Sequence, residues 1–133
     1  MLSRMPMKFI ATIDGIVVAG EQYGRKLGFP TANVQPDSAV KAMQGIYAGI
    51  GTVDGQRFKA GIVVGPLLPS GEPKVEAHLL AFTGDLYDKR LSLELVAYLR
   101  KWKTFDAEET LREQIKKDVA EVETLVPNEM VRA

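Results

Sequence analysis

The pair Asp54-Gly55 stands between two runs of small and β-branched residues, Ile46 to Val53 and Arg57 to Val64. Both central residues of a type I′ turn need positive φ, and Asp-Gly is one of the few pairs that supply it, so a tight antiparallel hairpin is expected here. The two-residue period recurs downstream. Leu91, Leu93, Leu95, Ala97 and Leu99 alternate with Ser92, Glu94, Val96 and Tyr98, giving one mainly apolar face. Phe9 to Val18 and Val75 to Phe82 read as further strands. Three stretches rich in glycine, proline or aspartate interrupt the pattern: Gly20 to Asn33, Gly65 to Pro73 and Thr83 to Lys89. Long loops in a compact domain are more often functional than idle.

The period changes near the end. From Ala107 onward Leu111, Ile115, Val119, Val122 and Val126 fall three or four apart and form one helical stripe. Asp106 is the expected N-cap, with Glu109 three residues on as in a capping box. Glu108 and Arg112, and Glu113 and Lys117, are spaced to pair at i,i+4. Five or six short strands followed by one helix predict a mainly β fold, an antiparallel sheet closed on itself with the helix packed outside. The strand pattern leaves the strand order open.

Composition removes several classes of function. Seventeen basic residues balance seventeen acidic ones, so the basic excess usual for a nucleic-acid-binding protein is missing. An anionic ligand must then be held by a few placed donors. With no cysteine there is no disulfide framework, thiolate metal site or cysteine nucleophile, and a single histidine, His78, excludes a multi-histidine metal site. No apolar run approaches the roughly 18 residues needed to span a bilayer. Arg4, Pro6 and Lys8 break the apolar character of the N-terminus, which argues against a signal peptide. A cytoplasmic, monomeric single domain with no nucleic-acid or membrane partner is expected.

Chemistry concentrates between Gly20 and Asn33. Gly20, Gly24 and Gly28 recur every four residues, but Glu21, Arg25, Lys26 and Pro30 among them exclude a membrane helix. The segment is not a Walker loop, since no Gly-Lys-Ser/Thr closes it, and no G-x-G-x-x-G is present. It offers backbone N–H groups and two cations, the ingredients for cradling a polyphosphate; a plain surface loop would account for the glycines equally well. Pro30 fixes its own φ and biases Phe29 to extended geometry, so Thr31 and Asn33 leave the loop on a stiffened backbone. If the backbone stays extended, residues two apart point to the same side. A hydroxyl and an amide oxygen would then sit together, hard neutral donors of the kind magnesium accepts. The other reading is a turn held by Thr and Asn bonds to the backbone.

Gly20-x-x-x-Gly24-Arg25-x-Leu27-Gly28-Phe29-Pro30-Thr31-Ala32-Asn33 resembles the signature of riboflavin kinases, including the kinase module of bacterial bifunctional FAD synthetases. Further resemblances follow in family order: Gly45-Ile46-Tyr47-Ala48-Gly49, Val75-Glu76-Ala77-His78-Leu79-Leu80, Gly84-Asp85-Leu86-Tyr87, Tyr98-Leu99-Arg100 through Phe105-Asp106, and Gln114-Ile115 with Asp118. Together they cover residues 9 to 120. The resemblance implies a closed, six-stranded, Greek-key-like antiparallel β-barrel with the C-terminal helix outside. It implies one kinase domain over residues 1 to 133 with a core near 9 to 126. The activity implied is ATP-dependent phosphorylation of the riboflavin 5′-hydroxyl, giving FMN and ADP with Mg²⁺ or another divalent cation.

Roles carry over by position. Thr31 and Asn33 would hold the metal and nucleotide, with Gly20, Gly24 and Arg25 at the phosphates. Glu76 would take the proton of the attacking hydroxyl; on an alternating strand it shares a side with His78, Leu80 and Phe82, and apolar neighbours there would partly desolvate it and strengthen it as a base. His78 reads rather as a hydrogen-bonded structural residue. Arg100 and Lys103 match positions that contact the flavin or its phosphate, against the alternative of a solvated cationic strand end. Trp102, the one tryptophan, is either a flavin-stacking or a rim residue.

The chain also departs from the family. Val63-Val64-Gly65-Pro66-Leu67-Leu68-Pro69 lacks the asparagine and threonine of the usual N-[IV]-G-x-x-P-T, Tyr87-Asp88 replaces Tyr-Gly, and Trp102 stands where an acidic residue is frequent. A catalytically inactive flavin- or nucleotide-binding regulatory module of the same fold is therefore the alternative function. Few residues precede the first strand, so a complete protein of this sequence would stop at FMN; an isolated module of a longer chain is the other possibility.

Overall fold

A computed structural model describes residues 10–20 and 28–131. Six strands, β1 (Ala11–Val18), β2 (Ala32–Pro36), β3 (Gly45–Val53), β4 (Gln56–Leu67), β5 (Pro73–Leu79) and β6 (Arg90–Arg100), precede one helix, α1 (Glu108–Leu125). Short 3-10 turns occupy Lys41–Met43 and Asn128–Met130. The strands close into a barrel in the order β1-β2-β5-β4-β3-β6, and every neighbouring pair is antiparallel. Strand β6 returns beside β3, the first strand of the β3-β4-β5 meander, which is the Greek-key order. Closure leaves no sheet edge exposed.

The hairpin is present as expected. Asp54 and Gly55 have φ of 51° and 77°, and Val53 pairs with Gln56 across them. The loop expected over Gly65 to Pro73 is shorter than the sequence implied. Strand β4 continues to Leu67, which pairs with Pro73, and Leu68 N–H donates to the Glu72 carbonyl at 2.7 Å. Strand β5 ends at Leu79 rather than Phe82, because the chain turns at Leu80 and Ala81, where φ is 64°. Phe9, expected in β1, lies outside the described residues.

The apolar face of β6 also differs from the simple alternation. Leu91, Leu93 and Leu95 enter the barrel interior, but Ala97 and Leu99 pack instead with the cluster under α1. The cause is a change of register against β3: Ala48 pairs with Ala97 while Gly49 pairs with Leu95. One extra residue in an alternating strand moves everything beyond it to the other face.

Two cores result. The interior holds Ile13, Ile62, Val64, Leu91, Leu93 and Leu95, all essentially inaccessible. Outside the barrel, Val122 and Val126 at the end of α1 pack on Ala48, Ile50 and Leu80. Burying one such valine contributes about 1.5–3 kcal/mol. Lys59 ties the same end of the helix to the wall, with Nζ donating to the Glu123 carbonyl at 2.8 Å. A cation there also complements the negative end of the helix dipole. Leu93→Ala is expected to cost about 2–5 kcal/mol in urea unfolding, and a loss below about 1 kcal/mol would mean the barrel interior is not close-packed at that point.

The N-terminal end of α1 corrects a detail. Ala107, not Asp106, occupies the N-cap, and no side chain caps the first turn. Leu111 N–H reaches the Ala107 carbonyl at 3.1 Å, so the helix starts one residue late for Asp106 to serve. Glu108 pairs with Arg112 at 3.6 Å as expected, whereas Glu113 pairs with Lys116 at i,i+3 instead of Lys117.

Tyr47 explains the Gly45-Ile46-Tyr47 segment structurally. Its hydroxyl donates to the Met43 carbonyl at 2.8 Å, and its ring meets Tyr98 edge-on with centroids 5.4 Å apart. Burial, then the neighbouring Tyr98, raises the Tyr47 hydroxyl above the ordinary tyrosine value.

Candidate active site

One cavity of about 1250 Å³ runs along the outer face of β2, β5 and β4 toward the 102–105 segment and the inner face of α1. Its walls include Gly20, Thr31, Asn33, Glu76, Arg100 and Lys103. Every described residue that the sequence singled out for nucleotide, metal, flavin or proton chemistry therefore lines one space. Gly24 and Arg25 lie outside the described residues.

The strand ladder sets the central geometry. Ala32 and Val34 of β2 enter the core, which turns Asn33 to the outer face. Val75, Ala77 and Leu79 of β5 do the same, leaving Glu76 and His78 outside. Asn33 and Glu76 are direct partners in the β2–β5 register. Side chains directly opposite on one face lie about 4.5–5.5 Å apart at Cβ, so an amide and a carboxylate address the same small volume. Asn33 is only 9% exposed and lines the cavity. Gly20 lies against it so closely that an added Cβ would stand 1.9 Å from Asn33 Nδ2. A buried amide facing a cavity beside a threonine hydroxyl fits the coordination of a hard cation that brings phosphate and water oxygens with it.

One neighbour of Glu76 was not apparent from the sequence pattern. Its side chain is 24% exposed. A cation stands beside it: Lys74 Nζ is 3.4 Å from Oε1. The i,i+2 spacing on one strand face was the available signal. Leu80 and Phe82, expected beside Glu76, fall past the end of β5 and pack into the two cores instead.

His78 lines the cavity and is hydrogen-bonded to the loop ahead of β2. Its Nδ1 lies 2.7 Å from the Pro30 carbonyl, which can only accept, so Nδ1 carries the proton. The Phe29 ring meets the imidazole edge-on at 5.9 Å. Both contacts fasten Phe29 and Pro30 to β5, directly ahead of Thr31.

At the far end, Arg100 donates from Nε and Nη2 to the Asp118 carboxylate at 3.1 and 2.8 Å, and from Nη1 to the Lys101 carbonyl at 3.1 Å. The Phe105 ring lies under both Arg100 and Lys103, with the cations 5.8 and 5.1 Å from its centroid. Trp102, 40% exposed, borders the cavity beside Gly65 and Pro66. Val63, Gly65, Pro66 and Leu68, from the stretch that departs from the family, form part of the same wall. Among the described residues no helix is long and apolar enough to cross a membrane.

A closed six-stranded Greek-key barrel with an outer helix is the flavokinase-type fold, and here it carries a cavity walled by Thr31, Asn33 and Glu76. Residues 7–126 match the family model described as riboflavin kinase, and the chain belongs to that family. It is 39% identical over 113 residues to the RNA-binding riboflavin kinase RibR of Bacillus subtilis, covering 81% of this chain and 48% of that protein. It is also 39% identical over 116 residues to the bifunctional riboflavin kinase/FMN adenylyltransferase of Pseudomonas fluorescens, covering 85% of this chain and 37% of that one. The chain thus spans less than half the length of either curated relative. The crystal structure of riboflavin kinase from Trypanosoma brucei has the same fold, with a TM-score of 0.68 and 23% identity over 90% of this chain and 82% of that one.

Proposed function

We infer that the cavity transfers the γ-phosphoryl group of ATP to the 5′-hydroxyl of riboflavin, giving FMN and ADP. The observation that carries this reading is the pairing of Asn33 with Glu76 across β2 and β5. It sets an oxygen donor for a metal–nucleotide complex directly beside a carboxylate, in a cavity large enough for both substrates.

Glu76 accepts the proton of the ribityl hydroxyl as that oxygen bonds to the γ-phosphorus, and the bond from the γ-phosphorus to the β,γ-bridging oxygen breaks to release ADP. Phosphoryl transfer needs little from the protein beyond alignment and charge neutralisation. Thr31 and Asn33 supply oxygens for a divalent cation, which neutralises phosphate charge when bound. Gly20, with Gly24 and Arg25, takes the phosphates. Arg100 and Lys103 meet the flavin or its phosphate, with Phe105 beneath both cations.

The direct test is incubation with riboflavin, ATP and MgCl₂ followed by chromatography for FMN and ADP. Riboflavin binding without FMN under any divalent metal would replace this reading with an inactive flavin-binding module. Within the proposed site, Thr31→Ala is expected to raise the Mg²⁺ needed for half-maximal rate and KM for ATP by about tenfold, the scale of one lost charge-assisted contact. Unchanged values for both would remove Thr31 from the metal site.

A further inference from the structure

Asp118 occupies a place on α1 that the helical pattern reserves for apolar residues. It lies one turn before Val122 on the side that packs against the barrel, and it is 9% exposed. A carboxylate so placed loses its hydration and must be hydrogen-bonded in return. It receives three donors: Nε and Nη2 of Arg100, at 3.1 and 2.8 Å, and Gln114 Nε2, one turn back on the helix, at 3.0 Å. Arg100 is held at its other end by the Lys101 carbonyl. The guanidinium is therefore fixed in plane while still lining the cavity.

This arrangement has a consequence for recognition. A guanidinium forked onto a carboxylate presents directed N–H donors with little net charge, which suits the carbonyl or ring-nitrogen edge of an uncharged heterocycle better than a phosphate. Lys103 differs: among the described residues it has no carboxylate partner, only the Phe105 ring 5.1 Å away. We propose that Asp118, steadied by Gln114, is a positioning residue that makes Arg100 a rigid, charge-compensated donor for the neutral flavin ring, and leaves the phosphate of the product to Lys103. The proposal rests on the kinase reading of the cavity.

The test is equilibrium binding of riboflavin and of FMN, followed by flavin fluorescence, so that it is independent of turnover. Asp118→Asn keeps the shape and leaves Arg100 an uncompensated cation. Riboflavin binding should weaken about tenfold, whereas FMN loses the same ring contact but gains attraction between its phosphate and the uncompensated cation, moving the ratio of the two dissociation constants about tenfold toward FMN. Asp118→Glu restores the charge and should return that ratio to the wild-type value even where both affinities fall. A merely structural role predicts equal losses for both flavins in both variants, and that result would overturn the proposal.

Lys103→Met provides an arm that does not depend on the helix seat. It should weaken FMN about tenfold and leave riboflavin nearly unchanged; the reverse pattern would also overturn the assignment, including where Asp118→Asn fails to fold. Wild-type protein that binds neither flavin would bring down the kinase reading and this inference with it. Wild-type binding with an unmoved ratio in Asp118→Asn would sink the Asp118 role alone.

Discussion

Replacing Glu76 by glutamine is expected to lower the turnover of riboflavin to FMN by about 10²- to 10⁴-fold, the usual contribution of a positioned general base, with riboflavin affinity little changed. The substitution keeps the shape of the side chain and its place opposite Asn33 in the β2–β5 ladder. It removes only the capacity to take a proton and the negative charge beside Lys74 Nζ. Residual activity should persist, because alignment of the substrates is independent of the base. Steady-state assays of FMN formation, with flavin binding measured in parallel, separate the two effects. More than about one-tenth of wild-type turnover would be too small a loss for a general base and would send the search elsewhere.

Gly20→Ala should produce a second large loss with a different signature. The new Cβ would fall 1.9 Å from Nδ2, 2.1 Å from Cγ and 2.5 Å from Oδ1 of Asn33, distances that non-bonded atoms do not reach. Because the obstacle is a side chain and not backbone, the barrel need not deform; the Asn33 amide swings away. Misplacement of a positioning group by about 1 Å can cost on the order of 10² in rate, and here the loss should fall on kcat/KM for ATP and on the Mg²⁺ requirement. Thermal stability should stay close to wild type, since no core residue is displaced. A variant with unaltered ATP kinetics would show that Asn33 does not hold the metal–nucleotide complex. A variant that unfolds would show that Gly20 is needed for packing rather than for the site.

Much of the barrel was legible in the chain because its signals are local. The Asp54-Gly55 turn depends on two adjacent φ angles, and the interior leucines of β6 follow the pleat as far as Leu95. Beyond Leu95 the prediction failed for a non-local reason. The register shift against β3 depends on a partner strand distant in sequence, and it turned Ala97 and Leu99 toward α1. The ends of β4 and β5 were misjudged similarly: Pro66 and Pro73 read as loop signals, yet the pairing of Leu67 with Pro73 carries the ladder past them. Asp106 looked like a cap by spacing, but the helix begins one residue too late to use it.

The candidate site divides along the same line. The sequence by itself determined the chemical repertoire: hard oxygens at Thr31 and Asn33, a carboxylate at Glu76, cations at Arg100 and Lys103, and no cysteine or histidine cluster to compete with them. Residue type and short spacing carry that information, since a side chain's functional groups do not depend on its neighbours. Only the tertiary structure decided which of these groups meet. The barrel order inserts β2 between β1 and β5, and that ladder sets Asn33 opposite Glu76. The seating of α1 brings Asp118 onto Arg100, and the Pro30 carbonyl claims the His78 proton. Such contacts are selected by closure of the hydrogen-bonded sheet and burial of the helix face, which are properties of the whole chain.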